Sequence, residues 1–298
     1  RPPRSTLFPY TTLFRSAKGV ITPPLVPHIA YIHTPMRYAW DKYFEYKSRS
    51  GCLTRFFMEK WMNKIRLWDY VSSQRVDTLI ANSNYISRRI KKYWNRESTV
   101  IYPPVATERL VPNYKEPEDF FVVFSRFVPY KRIDLAIQAC GNLKKKLVVI
   151  GSGSQEKLLK KLAANYRGVE ISFTGRISDK EVMNYLQRCR ALIFCAEEDF
   201  GIIPLEAQCC GRPVIAFGKG GVLETVINGK TGTFFSHATV DSVERAIHRF
   251  EELERNKAFD ADFISQHAKK FSTERFSREI KEAIDNTIMK LDEETSRK

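Results

Sequence analysis

The sequence predicts an α/β protein whose strands run parallel and are buried on both faces. Three observations carry this. From Phe120 onward, short apolar runs alternate with helix-sized stretches, which is the pattern of βαβ units. Runs such as Ala191-Leu192-Ile193-Phe194-Cys195-Ala196 are apolar throughout, as buried parallel strands are. Several runs are followed by glycine-bearing loops: Gly151-Ser152-Gly153, Thr174-Gly175-Arg176 and Gly218-Lys219-Gly220-Gly221.

The length, 298 residues, allows two domains with separate cores. Hydrophobic residues make up 43%, ordinary for a globular chain. No apolar run is long enough to span a bilayer. The six cysteines form no Cys-x2-Cys pair, and several sit in apolar runs, which suits a reducing cytoplasm. Net charge is +15 and uneven: residues 1–110 carry 19 Lys and Arg against 7 Asp and Glu. An anionic partner of the first third, whether membrane phospholipid, a lipid-linked phosphate or nucleic acid, is one reading of this; simple solubility is the other.

Residues 1–16 lack an initiator Met and the apolar core of a signal peptide. The run Leu7 to Ser16 resembles one translated frame of a sequencing adapter and is set aside as non-native. Pro27 to His33 reads as a strand ending at His33, followed by the loop Thr34-Pro35-Met36-Arg37-Tyr38-Ala39-Trp40-Asp41. Residues 56–71 read as a helix, with Phe57, Trp61, Ile65 and Trp68 at helical spacing and Lys60, Lys64 and Arg66 between them. A core face with a solvated basic side is the expected arrangement; an interfacial helix on an anionic membrane is the alternative. Val76 to Asn82 is a strand, and Ser83 caps a basic helix to about Tyr93. Ser98 to Tyr102 is a short strand stopped by Pro103-Pro104, and a polar linker follows. The regular part then has strands at 120–124, 147–150, 169–173, 191–196 and 213–217, and a last helix begins near Ser272-Thr273-Glu274.

The chemistry gathers at Glu197-Glu198-Asp199-Phe200-Gly201-Ile202-Ile203-Pro204-Leu205-Glu206. This reads as strand end, acidic loop and helix start, where ligands sit in open α/β sheets. Gly201 permits close backbone approach, and Pro204 suits a first helical turn. The helix N-terminus offers N–H groups and partial positive charge to a phosphate. Glu198 in the loop and Glu206 in the helix can grip separate hydroxyl-bearing parts of one ligand, as in a nucleoside diphosphate sugar. Acids at a helix start also stabilise its dipole without any ligand. Gly151 and Gly153 do not make a dinucleotide motif, because position 156 is Glu, though a glycine turn near a sugar phosphate remains open. Arg126 and Lys131, after the strand at 120–124, can converge on a diphosphate. The Asp260-Ala261-Asp262 run lies in a late helical stretch rather than after a strand, so no metal is expected.

The ten residues from Glu197 to Glu206 resemble the Glu-x7-Glu signature of retaining GT-B glycosyltransferases of family 4. The likeness extends over most of the chain. Ser125 to Arg132 resembles the family's phosphate-binding stretch, although many members have Gly where this chain has Ser125 and Arg132. His33 to Asp41 resembles a motif of the bacterial O-antigen mannosyltransferases, in which the matching His lies close to the donor sugar. The resemblance implies an α/β GT-B fold of two Rossmann-like domains, the N-terminal one incomplete. Residues 17–102 would be the remainder of an acceptor domain, 103–117 a linker, 118–271 the donor domain and 272–298 a helix returning to the first domain. It implies catalytic roles for His33, Arg126, Lys131 and Glu198. Donor contacts would come from Gly151, Gly153, Arg176, Ile177, Phe200, Gly201, Ile202 and Glu206, with Glu198 on the sugar and Glu206 on the ribose. Glu224 is expected to be structural.

The implied reaction moves a hexosyl group, mannose favoured, from a nucleotide sugar to a hydroxyl of a glycan or lipid-linked acceptor, with retention. GDP-mannose ranks ahead of a UDP-hexose, with no cofactor and no nucleic acid partner. The expected place is the cytoplasm, with peripheral contact at the inner membrane face as an extension. A GT-B sugar-nucleotide epimerase and a non-catalytic basic protein are the alternatives. Because the acceptor domain reads as partial, the chain as it stands is expected to bind nucleotide but not to complete transfer.

Overall fold

The computed structural model describes residues 17–296, so the adapter-like run lies outside the described residues. The chain forms two compact units, one reaching to Tyr102 and resuming from Ser277, the other spanning Pro103–Phe276.

In the first unit, β1 (Ile29–Ile32), β2 (Thr78–Ala81) and β3 (Thr99–Val100) form a parallel sheet in that order. Ile32, Leu79 and Ala81 bury one face against Ile86, Ile90 and Trp94 of helix Asn84–Trp94. That helix starts where the sequence predicts. The Ser83 hydroxyl accepts from the Ile86 N–H (3.2 Å), and Asn95 ends it in the left-handed region. Arg89 on this otherwise basic helix turns inward, pairing with Asp41 (2.5 Å) and donating to Thr34 (3.0 Å), which ties down the loop after β1. In the terminal helix Thr273–Ser296, Thr287 meets Thr78 hydroxyl to hydroxyl at 2.8 Å.

The second helix of this unit corrects the sequence reading. It runs Cys52–Gln74, longer than expected, and three of the four residues assigned to a core face point outward. Phe57, Trp61 and Trp68 are exposed, while Ile65 packs beside Met36, Ala39 and Met62. The buried side instead carries Asp69, Ser72 and Ser73. These polar groups go inside because they find partners there. Asp69 accepts the indole N–H groups of Trp40 (2.8 Å) and Trp94 (2.7 Å) and pairs with Lys18 (3.0 Å).

The second unit is one six-stranded parallel sheet. Its strands are β4 (Phe121–Phe124), β5 (Leu147–Ile150), β6 (Ile171–Gly175), β7 (Ala191–Phe194), β8 (Val214–Phe217) and β9 (Gly232–Phe235). Their order is β6-β5-β4-β7-β8-β9. Alternate residues of each strand face opposite sides, so both faces need cover. Phe121 and Val123 pack under helices Ile133–Asn142 and Val240–Arg255, while Val122 and Leu192 pack with Val182, Leu186 and Ala207 on the other side. The sheet is therefore doubly wound, and its order reverses between β4 and β7. The sequence reading did not include β9. The strand runs four residues from a glycine and pairs parallel to β8.

Candidate donor site

Where strand order reverses, the neighbouring strands β4 and β7 send out their loops from the carboxyl edge of the sheet, the place at which open α/β sheets form a ligand crevice. The sheet alone thus singles out residues 125–132 and 195–201.

The first loop is shaped from below by glycine. Gly151, at φ +133, lies so close to this loop that a Cβ would stand 1.9 Å from the Ser125 carbonyl oxygen. The Phe127 N–H donates to the Ser152 carbonyl (2.9 Å) and the Gln155 N–H to the Phe127 carbonyl (3.0 Å). A Cβ on Gly153 would meet the Phe127 carbonyl oxygen at 2.4 Å. The contacts found for both glycines are therefore with the backbone that carries Arg126. Phe127 is fully buried and anchors the loop, leaving Arg126 exposed. A 3-10 turn, Pro129–Lys131, then delivers Lys131. Arg132 stands where many relatives of the resembled family have glycine, and the reason for glycine is visible: φ is +50. The strain of a side chain there is offset by a forked contact of its guanidinium with Asp134, at 3.1 Å. That Arg-x-Asp spacing was the signal for the pair, and the sequence reading did not use it.

The second loop brings Glu198 to Lys131, and the two form an ion pair, their side chains 22% and 10% exposed. Glu198 is fixed from behind. The Gly221 N–H donates to its carbonyl (2.9 Å), and a Cβ on Gly220 would lie 2.2 Å from that same oxygen. Gly201 adopts φ +90 at the N-cap of helix Ile202–Cys209, so the chain turns sharply from acidic loop into helix. Ile202 is exposed at the first helical position, and Glu206 lies further along, buried at 6% exposure. Phe200 is buried against Phe271, ring centroids 5.8 Å apart, a packing role.

The remaining candidates belong to other elements. Arg176 is exposed after β6 and Ile177 half-buried beside Val182 and Leu186, two strands away from β4. Glu224 belongs to the short helix Val222–Thr225. His33 belongs to the first unit, exposed just after β1 with its ring edge-on to Tyr31 at 5.2 Å. Asp260 caps helix Ala261–Lys269, accepting from the Phe263 N–H at 2.6 Å, and Asp262 accepts the Tyr114 hydroxyl at 2.7 Å.

Chemically, the crevice offers two cations on one loop, a carboxylate facing one of them, and the N-terminus of a helix. Such a set can hold an anion beside a hydroxyl-rich group.

Known proteins agree in fold and family. The family described as glycosyl transferases group 1 matches residues 106–271. An uncharacterized glycosyltransferase of Methanocaldococcus jannaschii is 28% identical over 201 residues, covering 67% of this chain and 56% of its own length. An alpha-1,3/1,6-mannosyltransferase of Dictyostelium discoideum is 26% identical over 273 residues, 76% of this chain and 64% of its own. A GDP-mannose-dependent alpha-(1-6)-phosphatidylinositol monomannoside mannosyltransferase of Mycolicibacterium smegmatis is 33% identical over 140 residues, 42% and 37% respectively. The chain thus spans only part of these relatives. Anabaena HepE, solved with UDP and glucose, superposes with a TM-score of 0.70 at 18% identity, covering 87% of this chain and 71% of that one. Sucrose-phosphate synthase from Thermosynechococcus elongatus gives 0.71 at 18%, with 87% and 67% covered. These likenesses establish the α/β GT-B architecture, and with more than half of its length matched, the chain belongs to the glycosyl transferases group 1 family.

Proposed function

We propose that the protein serves retaining transfer of a hexosyl group, mannose favoured, from a nucleotide sugar to a hydroxyl of a glycan or lipid-linked acceptor. The observation that carries this is the meeting of Lys131 and Glu198 at the strand-order reversal, beside the start of helix Ile202–Cys209. In this reading Arg126, Lys131 and the helix N–H groups hold the diphosphate and stabilise the charge that develops on it as the sugar leaves. Glu198 holds the donor sugar, Glu206 the ribose, and the backbone around Arg176 and Ile177 the base. His33 acts near the donor sugar. No metal or cofactor has a part, and attack comes from the face the leaving group departs. The mannosyltransferase names among the relatives support mannose, and the GDP-mannose dependence in the name of the Mycolicibacterium relative supports that donor over a UDP-hexose.

The proposed setting is the cytoplasmic side of a membrane that presents the acceptor, with peripheral contact to its anionic lipids. Among the described residues no helix is long and apolar enough to cross a membrane.

The test is a thermal-shift and calorimetric comparison of GDP-mannose, GDP, UDP-glucose and UDP, each with and without EDTA. Stabilisation by GDP-mannose above the UDP compounds, unchanged by EDTA, is the expected result. No response to any nucleotide sugar would overturn the reading; a stronger response to UDP-glucose would move the donor assignment.

A further inference from the structure

The helix Cys52–Gln74 exposes a stripe of large apolar side chains, with Trp68 at one end of it also covering Lys18 and Gly19. Leu53, Phe57, Trp61, Leu67 and Trp68 are 73, 51, 47, 64 and 40% exposed. At 100° per residue these positions fall on one continuous stripe, with Lys60 and Lys64 inside it. Met62, Asp69 and Ser73 occupy the opposite, buried side. The short helix Tyr43–Arg49 adds exposed Phe44 and Tyr46, and is held beside the long one by Arg55, whose Nε donates to the Lys47 carbonyl at 3.0 Å.

A contiguous exposed apolar stripe calls for an occupant. The lysines choose among them. Lys64 Nζ stands 4.6 Å from the Trp61 ring centroid and Lys60 Nζ 6.0 Å from that of Phe56, so both stems run among the aromatics. Glu59, the acid beside them, is taken by Lys47 at 2.7 Å. A protein layer laid over this stripe would bury two ammonium groups, at high cost in desolvation. A bilayer surface would not. The stems and rings settle at the acyl boundary while the ammonium groups reach out to lipid phosphates. The basic excess of residues 17–110, 16 Lys and Arg against 7 Asp and Glu, has the same sign preference.

We infer that this stripe is a docking surface for a bilayer containing anionic phospholipid, with Phe57 and Trp61 entering the interface and Lys60 and Lys64 pairing with lipid phosphates. This deepens the membrane part of the proposed function and rests on that part alone. The orientation puts the helix flat on the surface rather than through it.

Sedimentation with vesicles of phosphatidylcholine, with and without phosphatidylglycerol, tests the inference. Binding to the mixed vesicles is expected, weakening as salt rises. K60Q/K64Q should weaken it about thirtyfold, and F57S/W61S should abolish it even at low salt. All four positions are exposed, so the melting temperature of each variant should match the parent and a folding defect would be seen. Absence of binding to the mixed vesicles overturns the inference, as does K60Q/K64Q binding like the parent. Self-association lost in F57S/W61S, without vesicle binding, overturns it in favour of a second copy as occupant. Nucleotide binding is read on the same samples: a protein that binds nucleotide but no vesicles refutes the docking surface and leaves the donor site standing, and the converse refutes only the donor site.

Discussion

Asp69 and Glu198 each face a lysine, one pair in each unit, and the two pairs differ in nearly everything else. Asp69 is fully buried and holds two indole N–H groups as well as Lys18. Its position on a helix, enclosed by Trp40, Trp94 and Lys18, leaves no path to solvent chemistry. Glu198 is part-exposed, sits in a loop at the end of a strand, and is pressed into place by glycine backbone rather than by aromatic packing. Pairing and burial therefore do not mark a site in this molecule. The place in the strand order does: the Glu198 pair lies where β4 and β7 part, and the Asp69 pair does not. Removing Asp69 should cost stability, and removing Glu198 or Lys131 should cost binding.

The largest expected effect is on stability. Asp69→Ala strands the Lys18 ammonium and two indole donors together, and breaking a buried pair this way costs about 3–5 kcal/mol. Urea unfolding measures it. Burial already holds the Lys18 ammonium below its ordinary value of 10.5, with Asp69 opposing. Between that lowered value and 10.5 the unfolded chain binds more protons, so stability should rise with pH there. Without Asp69 the Lys18 value falls further and the window should widen downward. Nucleotide affinity in the cold should stay within about twofold of the parent, as expected for an uncoupled site. A larger loss would break the contrast between the two pairs.

Next come the residues at the strand-order reversal. Lys131→Ala and Arg126→Ala should each weaken nucleoside diphosphate binding about tenfold to a hundredfold, the worth of a charged hydrogen bond. The bare nucleoside should bind almost unchanged, and the melting temperature should hardly move. Equal losses for nucleoside and diphosphate in calorimetry would take both residues off the phosphates.

A pair of glycines separates backbone conformation from site geometry. Gly220 and Gly229 have nearly the same φ, +81 and +78, but a Cβ on Gly229 meets nothing within 4 Å, whereas one on Gly220 strikes the Glu198 carbonyl oxygen. Gly229→Ala should cost about 1 kcal/mol, the conformational penalty alone. Gly220→Ala should cost more and also lower nucleotide-sugar affinity, because the acidic loop must shift. Identical behaviour of the two variants would mean that Glu198 need not be held where it is.

The fold was legible where burial is two-sided. β4, β5, β7 and β8 carry unbroken apolar runs, and the glycine loops after them stood out. β9 did not, because it opens with Gly232 and Thr233 instead of an apolar run, and the absent Cβ of Gly232 lets it lie against Val214. Spacing found the stripe on the helix Cys52–Gln74 but could not say which side faces in. That depends on Trp40, Trp94 and Lys18, far away in sequence, being there to satisfy Asp69. At the site, Arg126, Lys131 and Glu198 were legible as residue types after strand ends. The meeting of Lys131 with Glu198 was not, since it rests on where Gly220 and Gly151 allow two loops to approach. Nor was the left-handed turn at Arg132, which Asp134 supports.

The smallest effect expected is a silence. Cys140, Cys189, Cys195, Cys209 and Cys210 are buried in the second unit, and Cys52 is exposed at the start of the outward-facing helix. Cys195 lies in the very segment that leads from β7 to Glu198, so a reactive thiol there would be a rival explanation of the site. Burial argues against it: desolvation pushes the Cys195, Cys189 and Cys209 thiols up to about 12, and Cys140 and Cys210 higher. The thiolate is the reactive form, and at pH 8 these groups hold essentially none of it. A thiol reagent added to the native protein should therefore titrate one equivalent, that of Cys52, and the other five only in denaturant. Nucleotide should leave the count unchanged, because Cys195 is already buried without it. A second fast equivalent that nucleotide protects would place chemistry at the end of β7 that the carboxylate alone does not supply.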